Sequence, residues 1–239
     1  MELESMTIVI TGAGSGIGHA LSLGFLKDKA TVMAVDINPE GLKPLEEKGA
    51  ITKIADVAEA QQVKGVVQAA VEEMGRLDVL INNAGLGFRT LLAEIEPELL
   101  EKVIRVNLLG PIFGMRFAIP VMREQKFGRI INLLSRGAET GGAGMLHYGS
   151  SKAGLWAATR HAANETIGEN IRVNGLIPGP TKTGMMPVGQ DPSVVYPTAR
   201  MLATLPADGP TGRVFWDEKE YFMFNPENET FNLYPGADD

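Results

Sequence analysis

Tyr148 and Lys152 stand four residues apart in HYGSSKAG, residues 147–154, a segment that reads as helix. At that spacing two side chains share one helix face and can act on the same atoms. An ammonium beside a phenol favours the phenolate and lowers the tyrosine pKa from its usual ~10. The phenol then becomes a usable acid or base near neutral pH. Ser135 lies thirteen residues upstream, at the end of the apolar run IINLLS. Its hydroxyl could hold the oxygen that gains or loses the proton. The pair alone would equally suit a surface tyrosine beside a solvated lysine, and Ser135 alone could simply cap a strand end.

A second constellation opens the chain. TGAGSGIG, Thr11 to Gly18, follows an apolar run and precedes a helical pattern. Glycines let a backbone turn sharply and approach a pyrophosphate, and a helix N-terminus offers it N–H groups. Asp36 ends the second apolar run, where an acid can bind a ribose 2′-hydroxyl and would repel a 2′-phosphate. No Arg or Lys follows it immediately. NAD is therefore expected over NADP. The alternative for Asp36 is helix capping, since Asn38-Pro39 starts a helix two residues on.

Positioning these residues needs a sheet. Strand candidates are Met6–Thr11, Ala30–Asp36, Ala50–Ala55, Leu77–Ile81, Arg129–Ser135, Ile171–Ile177 and Gly212–Trp216. Helical patterns fall near 17–28, 39–48, 59–74, 98–125, 148–168 and 193–204. This alternation predicts an α/β fold, a doubly wound parallel sheet with helices on both faces. Ligands in such folds bind beyond the carboxyl ends of the strands. Gly12, Asp36, Asp56, Asn82, Asn83 and Ser135 all fall there.

The 239 residues suit one dinucleotide-binding and catalytic domain, 1–239. There are no cysteines, and His19, His147 and His161 lack metal-ligand spacing, so no metal is expected. MELESM is acidic and its following apolar run short, so no secretory signal is expected. Ile104–Met122 is the longest apolar stretch, but Arg105, Asn107, Arg116, Pro111 and Pro120 make it a buried or interface helix rather than a membrane span. A cytoplasmic setting with no membrane partner follows. The net charge of −7 argues against nucleic-acid binding. Residues 217–239 carry a net −6 of it, together with Tyr221, Phe222, Phe224, Phe231 and Tyr234. A purely solvating acidic tail would have few aromatics, so part of this one is expected to pack.

TGAGSGIG at 11–18, Asp56-Val57, NNAG at 82–85, NLLG at 107–110, Ser135, Tyr148-x-x-x-Lys152 and PGPTKT at 178–183 together resemble the short-chain dehydrogenase/reductase family, in its compact branch. The matches run in family order over about three quarters of the chain. The resemblance implies a Rossmann-type fold and hydride transfer between NAD and a secondary alcohol or ketone. Tyr148 would be the general acid/base at the substrate oxygen. Lys152 would bind the nicotinamide ribose and lower the Tyr148 pKa, and Ser135 would orient the substrate oxygen. Asn107 would fix a helix kink and a water linking Lys152 to solvent. It implies cofactor contacts from Gly12, Ser15, Gly16, Ile17, Gly18, Asp36, Ile37, Asp56, Val57, Asn83, Ala84, Gly85, Pro178, Gly179 and Thr183. It also implies a homodimer or homotetramer built on the two long helices.

Two regions depart from the family pattern. After Thr183 the chain reads GMMPVGQDPSVVYP. Met185, Met186 and Tyr196 suggest a substrate-covering loop over 184–198, with core packing as the alternative. Gly137 and the small residues after it leave room for an apolar or ring-bearing substrate, while Arg89 and Arg136 could meet an anionic group or lie on the surface. His147 is expected to point elsewhere. The carboxyl end keeps Asp217 but lacks the Gly-Gly pair that follows in many relatives. Its aromatics could cover the site of their own or a neighbouring subunit. The alternatives are an NADP-preferring carbonyl reductase and a non-enzymatic dinucleotide sensor.

Overall fold

The structure is a computed structural model that describes residues 2–225. Met1 and residues 226–239, with Phe231 and Tyr234 of the expected acidic aromatic tail, lie outside the described residues. The seven apolar runs become β1 (Thr7–Thr11), β2 (Thr31–Asp36), β3 (Ile51–Ile54), β4 (Val79–Asn82), β5 (Gly128–Leu133), β6 (Ile171–Leu176) and β7 (Val214–Trp216). They pair in parallel in the order β3-β2-β1-β4-β5-β6-β7. Their ends shift from the sequence boundaries by one or two residues, the ordinary uncertainty of element ends.

Both faces of this sheet are buried, which is why its strands read as nearly continuous apolar runs. Alternate residues serve opposite faces. Ile8, Ile10, Val32, Ala34, Val79, Ile81 and Ile131 pack with Leu21 and Phe25 of α1 (Gly16–Lys27), Leu42 and Leu45 of α2 (Pro39–Glu46), and Leu202 near the end of the chain. Val9, Met33, Val35, Leu80, Ile130 and Val173 pack with Val66, Val67 and Ala70 of α3 (Ala60–Met74) and with Met115 and Met122. The chain winds outward through β2 and β3, then returns to β4 on the other side of β1. A crevice opens at that reversal.

The expected helix 98–125 is not continuous. It divides into α4 (Pro97–Ile104) and α5 (Gly110–Gln125), joined by a single π-helical turn at Arg105–Leu109. Such turns widen a helix locally. Asn107 sits in this one, fully buried, with its carboxamide bound outside the helix. The run Pro97–Gln125 is long and apolar enough to cross a membrane by length and composition alone. Here it packs against α3 and α6 (Leu146–Glu165). The pattern near 193–204 resolves into a 3-10 turn at Pro192–Val195 and α7 (Tyr196–Ala203).

An eighth strand, β8 (Lys219–Glu220), was not foreseen. It runs antiparallel to β7, with Phe215 opposite Glu220 and Trp216 opposite Lys219. The two-residue loop is Asp217-Glu218, at φ 51° and 60°. Both residues are left-handed, as a type I′ hairpin loop requires, yet neither is glycine or asparagine. The Glu218 N–H donates to Thr198 Oγ1 at 3.0 Å, which anchors the loop on α7. Glu218→Gly keeps that bond and removes a Cβ from a left-handed position. It is expected to raise the unfolding free energy by about 1 kcal/mol, read as a higher urea midpoint at unchanged slope.

Candidate active site

The carboxyl ends of β1, β4, β5 and β6 border a cavity of about 1140 Å³. Its walls hold nearly all the residues singled out in the sequence. At one end Asp36, Ile37, Asp56 and Val57 line it, and beside them Gly12, Ser15, Gly16 and Ile17. Asn83, Ala84 and Gly85 form the middle. Ser135, Gly137, Tyr148 and Lys152 form the far end. Met185 also stands there, since a Cβ on Gly87 would meet both its sulfur and the Tyr148 ring. Pro178, Gly179 and Met186 line the cavity too. Thr183 reaches the glycine loop, where a Cβ on Gly16 would fall 3.2 Å from its Cγ2.

The glycine loop is packed too tightly for side chains at two points. Gly12 has φ +65°, and a Cβ there would fall 2.7 Å from the Ala84 Cα. A Cβ on Gly18 would fall 2.2 Å from the Gly12 carbonyl oxygen. Gly18 therefore lies under the loop, not on the cavity wall, and acts through packing. Asn83 stitches the structure together. Its Nδ2 donates to the carbonyls of Thr11 (2.9 Å) and Gly12 (3.0 Å), while Thr11 Oγ1 accepts from the N–H groups of Asn83 and Ala84. Ser15 stands at the N-cap of α1 without a side-chain capping bond, so the first amides of the helix are left for an anion.

Asp36 accepts the Gly14 N–H at 2.8 Å and the Asn38 N–H at 2.9 Å. Capping of α2 is done by Asn38, whose side chain accepts from the Glu40 N–H. The carboxylate thus tethers the glycine loop at the cavity edge rather than capping a helix.

At the far end, Ser135 Oγ accepts the Gly137 N–H at 3.0 Å, which leaves its own proton to donate. A Cβ on Gly137 would sit 3.3 Å from both Ser135 Oγ and Tyr148 Cε1. A Cβ on Gly87 would sit 3.1 Å from Tyr148 Cδ2 on the other side. The Tyr148 ring therefore lies between two glycines beside the serine hydroxyl. Lys152 is buried, and its Nζ donates to the Leu133 carbonyl at 2.6 Å and stands 5.7 Å from the Tyr148 ring centre. Burial pulls the Lys152 pKa down to about 8. It remains a cation below that pH and can favour a phenolate.

Asn107 does not line the cavity; it builds it. Its Oδ1 accepts the Leu86 N–H at 2.7 Å, and its Nδ2 donates to the Leu86 carbonyl at 2.8 Å and to Ser151 Oγ at 3.1 Å. Ser151 in turn donates to the Tyr148 carbonyl at 2.7 Å. The π turn, the loop after β4 and the first turn of α6 are thus joined. Ser151 carries no chemical signature and was missed by sequence reasoning.

Gly18 and Asn107 lie just behind the cavity wall, and Tyr196, expected beside the substrate, packs elsewhere. Its hydroxyl donates to Asp28 at 2.8 Å and its ring meets Phe25 edge-on at 5.0 Å. Gly24 of α1 makes the space, since a Cβ there would fall 2.3 Å from the ring. Only residues 184–186 of the expected covering loop reach the cavity, and Val188 and Val194 face solvent. His147 is buried, stacked on Phe88 at 4.2 Å. Arg89, Arg136, Thr140, Met145 and Trp216 also line the cavity. Of these Thr140, Met145 and Trp216 were unforeseen, although the place of Trp216 at the end of β7 follows the same carboxyl-end rule.

Residues 6–191 match the family model described as short chain dehydrogenase. The chain is 40% identical over 191 residues to a 3-oxoacyl-[acyl-carrier-protein] reductase of Thermotoga maritima, covering 77% of this chain and 78% of that one. It is 32% identical over 188 residues to the levodione reductase of Leifsonia aquatica, covering 75% and 70%. Among solved structures it superposes on levodione reductase with TM-score 0.84 at 26% identity, covering 89% and 95%. It superposes on the 3-ketoacyl-(acyl-carrier-protein) reductase of Brucella melitensis complexed with NADH with TM-score 0.85 at 28% identity, covering 90% and 97%.

The lowered Lys152 pKa carries a stability signature. The unfolded lysine titrates near 10.5 and the folded one near 8, so between these values the unfolded chain binds more protons and stability rises with pH. Relative to Lys152→Met, the cofactor-free protein is expected to gain about 2 kcal/mol between pH 8 and pH 10. Parallel urea titrations across that range check it; a flat difference would mean that the ammonium is solvated.

Proposed function

This chain belongs to the short-chain dehydrogenase/reductase family, and on that premise we propose that it is an NAD-preferring enzyme acting on an apolar or ring-bearing secondary alcohol or its ketone. Oxidoreduction at CH–OH and carbonyl groups is the chemistry of the family. The observation that carries the reading is the meeting of Ser135 Oγ, the Tyr148 ring and a buried Lys152 at one end of a cavity whose other end is a glycine loop tethered by Asp36.

The cavity suits a dinucleotide: the side-chain-free surface at Gly12 admits a pyrophosphate, the first amides of α1 face it, and the Asp36 carboxylate is placed for ribose hydroxyls. Asp56 and Val57 would flank the adenine, Asn83, Ala84 and Gly85 the middle of the cofactor, and Pro178, Gly179 and Thr183 its nicotinamide end. The bound nicotinamide supplies or accepts the hydride. The chain's own residues manage the oxygen. Ser135 donates its free proton to the carbonyl oxygen and fixes it beside the phenol. Tyr148 delivers the proton that completes the alcohol, or removes it in the oxidative direction. Lys152, cationic below pH 8, stabilises the phenolate that remains. Asn107 keeps α6 in register with the loop after β4, and the family's water link to Lys152 would start beside it. A Cβ on Gly85 would fall 3.5 Å from Asn107 Oδ1 and 3.9 Å from Lys152 Nζ.

Preference for NAD is supported by the Asp36 carboxylate and by the exposed, uncharged Ile37 that follows it. Met185 and Met186 support an apolar substrate, as adaptable walls of the cavity that Tyr148 lines. Assembly as a dimer or tetramer would use the faces of α4, α5 and α6.

Two outcomes test this reading. Tyr148→Phe is expected to lower kcat by roughly 10²–10⁴-fold while leaving NADH binding intact, followed by NADH absorbance on a panel of secondary alcohols and ketones. NADH binding without turnover on the whole panel, in both directions, would point to a dinucleotide sensor. Asp36→Ala is expected to lower kcat/KM for NAD by about tenfold or more, the value of a hydrogen bond to a charged group, while sparing NADP. Equal losses with both cofactors would remove the assignment.

A further inference from the structure

The 3-10 turn that follows Ser135, Arg136–Ala138, ends at Glu139. This carboxylate is nearly buried, with its side chain 9% exposed. It accepts from the Tyr221 hydroxyl through one oxygen and from the Phe224 N–H through the other. Arg136 lies 4.0 Å from it. The Arg136 guanidinium also stands 5.5 Å from the Trp216 ring and 5.9 Å from the Tyr221 ring. Trp216 and Tyr221 meet edge-on at 5.8 Å. The indole is held close, for a Cβ on Gly179 would fall 2.9 Å from its Nε1. Trp216 and Arg136 line the same cavity as Ser135, Tyr148 and Met185. The β7–β8 pairing that precedes Tyr221 is only two residues long. One more backbone bond, Tyr221 N–H to the Val214 carbonyl at 2.8 Å, continues it. Beyond that, Met223 is buried beside Leu155 and Ile177, and Phe224 packs on Trp156 at 5.3 Å. Glu139 is thus the polar anchor of a segment whose contacts through Met223 and Phe224 are apolar.

We propose that Glu139 is a positioning residue: by fastening Tyr221 and Phe224 it sets Trp216 as the wall that selects ketones and alcohols with a ring beside the reacting carbon. The proposal rests on the oxidoreductase reading. Ser135 and Tyr148 fix the oxygen, and Trp216 and Met185 are apolar walls of the same cavity on which a group carried by the reacting carbon can lie. The indole offers a flat apolar surface there, and an aromatic or alicyclic ring gains most from it. Loss of the fastening would release the Tyr221 ring from its edge-on seat against Trp216 and loosen the indole, while β7 stays paired with β6 and the proton-transfer residues are untouched. Burial and the Glu139 bond push the Tyr221 pKa up to about 12, so its hydroxyl stays a donor across the neutral range.

The chain has two tryptophans; Trp156→Phe leaves Trp216 as the sole emitter and keeps an aromatic ring against Phe224, which Trp156 meets at 5.3 Å. In that background Glu139→Gln replaces one acceptor oxygen by an amide and must lose a donor. It is expected to red-shift Trp216 emission and to increase its quenching by acrylamide, with unchanged circular dichroism. Tyr221→Phe removes the same bond from the other partner and should reproduce the shift. With NADH as reductant, KM for acetophenone is expected to rise roughly tenfold in Glu139→Gln, the scale of a lost pocket contact. Both KM for acetone and kcat should stay near the parent values. Unchanged emission and quenching overturn the proposal whatever the kinetics, and so does an equal rise in KM for both ketones. If the parent turns over neither ketone with NADH or NADPH, the assignment to this substrate class falls, while the emission of Trp216 still decides whether Glu139 holds it.

Discussion

A buried ammonium is the constraint around which this molecule is arranged. Lys152 is nearly inaccessible to water, and a charge in that position is costly unless it finds partners. The partner it finds is the Leu133 carbonyl at 2.6 Å. That carbonyl is available because of where the strands end. The pairing of β4 with β5 ends at Asn82 and Asn132, one residue short of Leu133, where the chain turns away into the loop containing Asn83. β4 stops at Asn82 while β5 runs on to Leu133, and this difference in length leaves an acceptor for the lysine. Burial still pulls its pKa down to about 8. It also makes the group responsive to whatever anion forms beside it.

The same economy of space governs the other end of the cavity. Three segments meet between β1 and β4: the glycine loop, the Asn83–Gly85 turn and the edge of β2. Backbone approaches backbone so closely that a single methyl at Gly12 or Gly18 has nowhere to go. Side chains that do enter serve as ties. Asn83 spends its amide on the loop carbonyls, Thr11 its hydroxyl on the turn, and Asp36 its carboxylate on the Gly14 N–H. A surface built of backbone, with few side chains projecting from it, is what lets a pyrophosphate come near helix amides. Asn107 does the equivalent work at the far end. The π turn carries its carboxamide out of the helix, where both of its polar atoms meet the Leu86 backbone. In a regular α-helix the residue would sit on a different face.

These particulars explain what could be seen in the sequence. β1 to β7 were legible because each is a short apolar run, too brief for a buried helix, set between longer helical patterns. Ser135, Tyr148 and Lys152 were legible because their spacing is chemical as well as structural. The π turn was not, since RVNLL fits a regular helix equally well and only the partner of Asn107 distinguishes them. Tyr196 was misplaced for a similar reason. An aromatic in an apolar, proline-rich stretch suggests a lid, and nothing local says that Gly24, far away in sequence, leaves a slot for its ring. Ser151 was invisible because its role is to link the Asn107 carboxamide to the Tyr148 carbonyl. Properties that belong to one residue's chemistry could be read from the chain. Properties that belong to a meeting of distant residues could not.

The carboxyl end is the clearest instance, and it unites two demands. An α/β sheet must finish somewhere, and an exposed edge strand is a hazard that proteins blunt with short, charged, twisted strands. β8 meets that description: two residues, Lys219 and Glu220, behind a left-handed loop, with Arg213 paired to Glu220 at 3.2 Å. Its sequence has no strand signal because an edge cover has little apolar surface to bury. Turning the chain back by this hairpin has a second effect. It sends Tyr221 and Phe224 over the turn that carries Ser135, and it fixes Trp216 at the last carboxyl end of the sheet, where a ligand wall is useful. Asp217 survives from the family pattern while the glycines after it do not, and the strain of two left-handed residues is tolerated. The hairpin that covers the edge with Lys219 and Glu220 thus turns back at Trp216, a wall of the cavity that Tyr148 also lines, so edge protection and pocket shape meet in one turn.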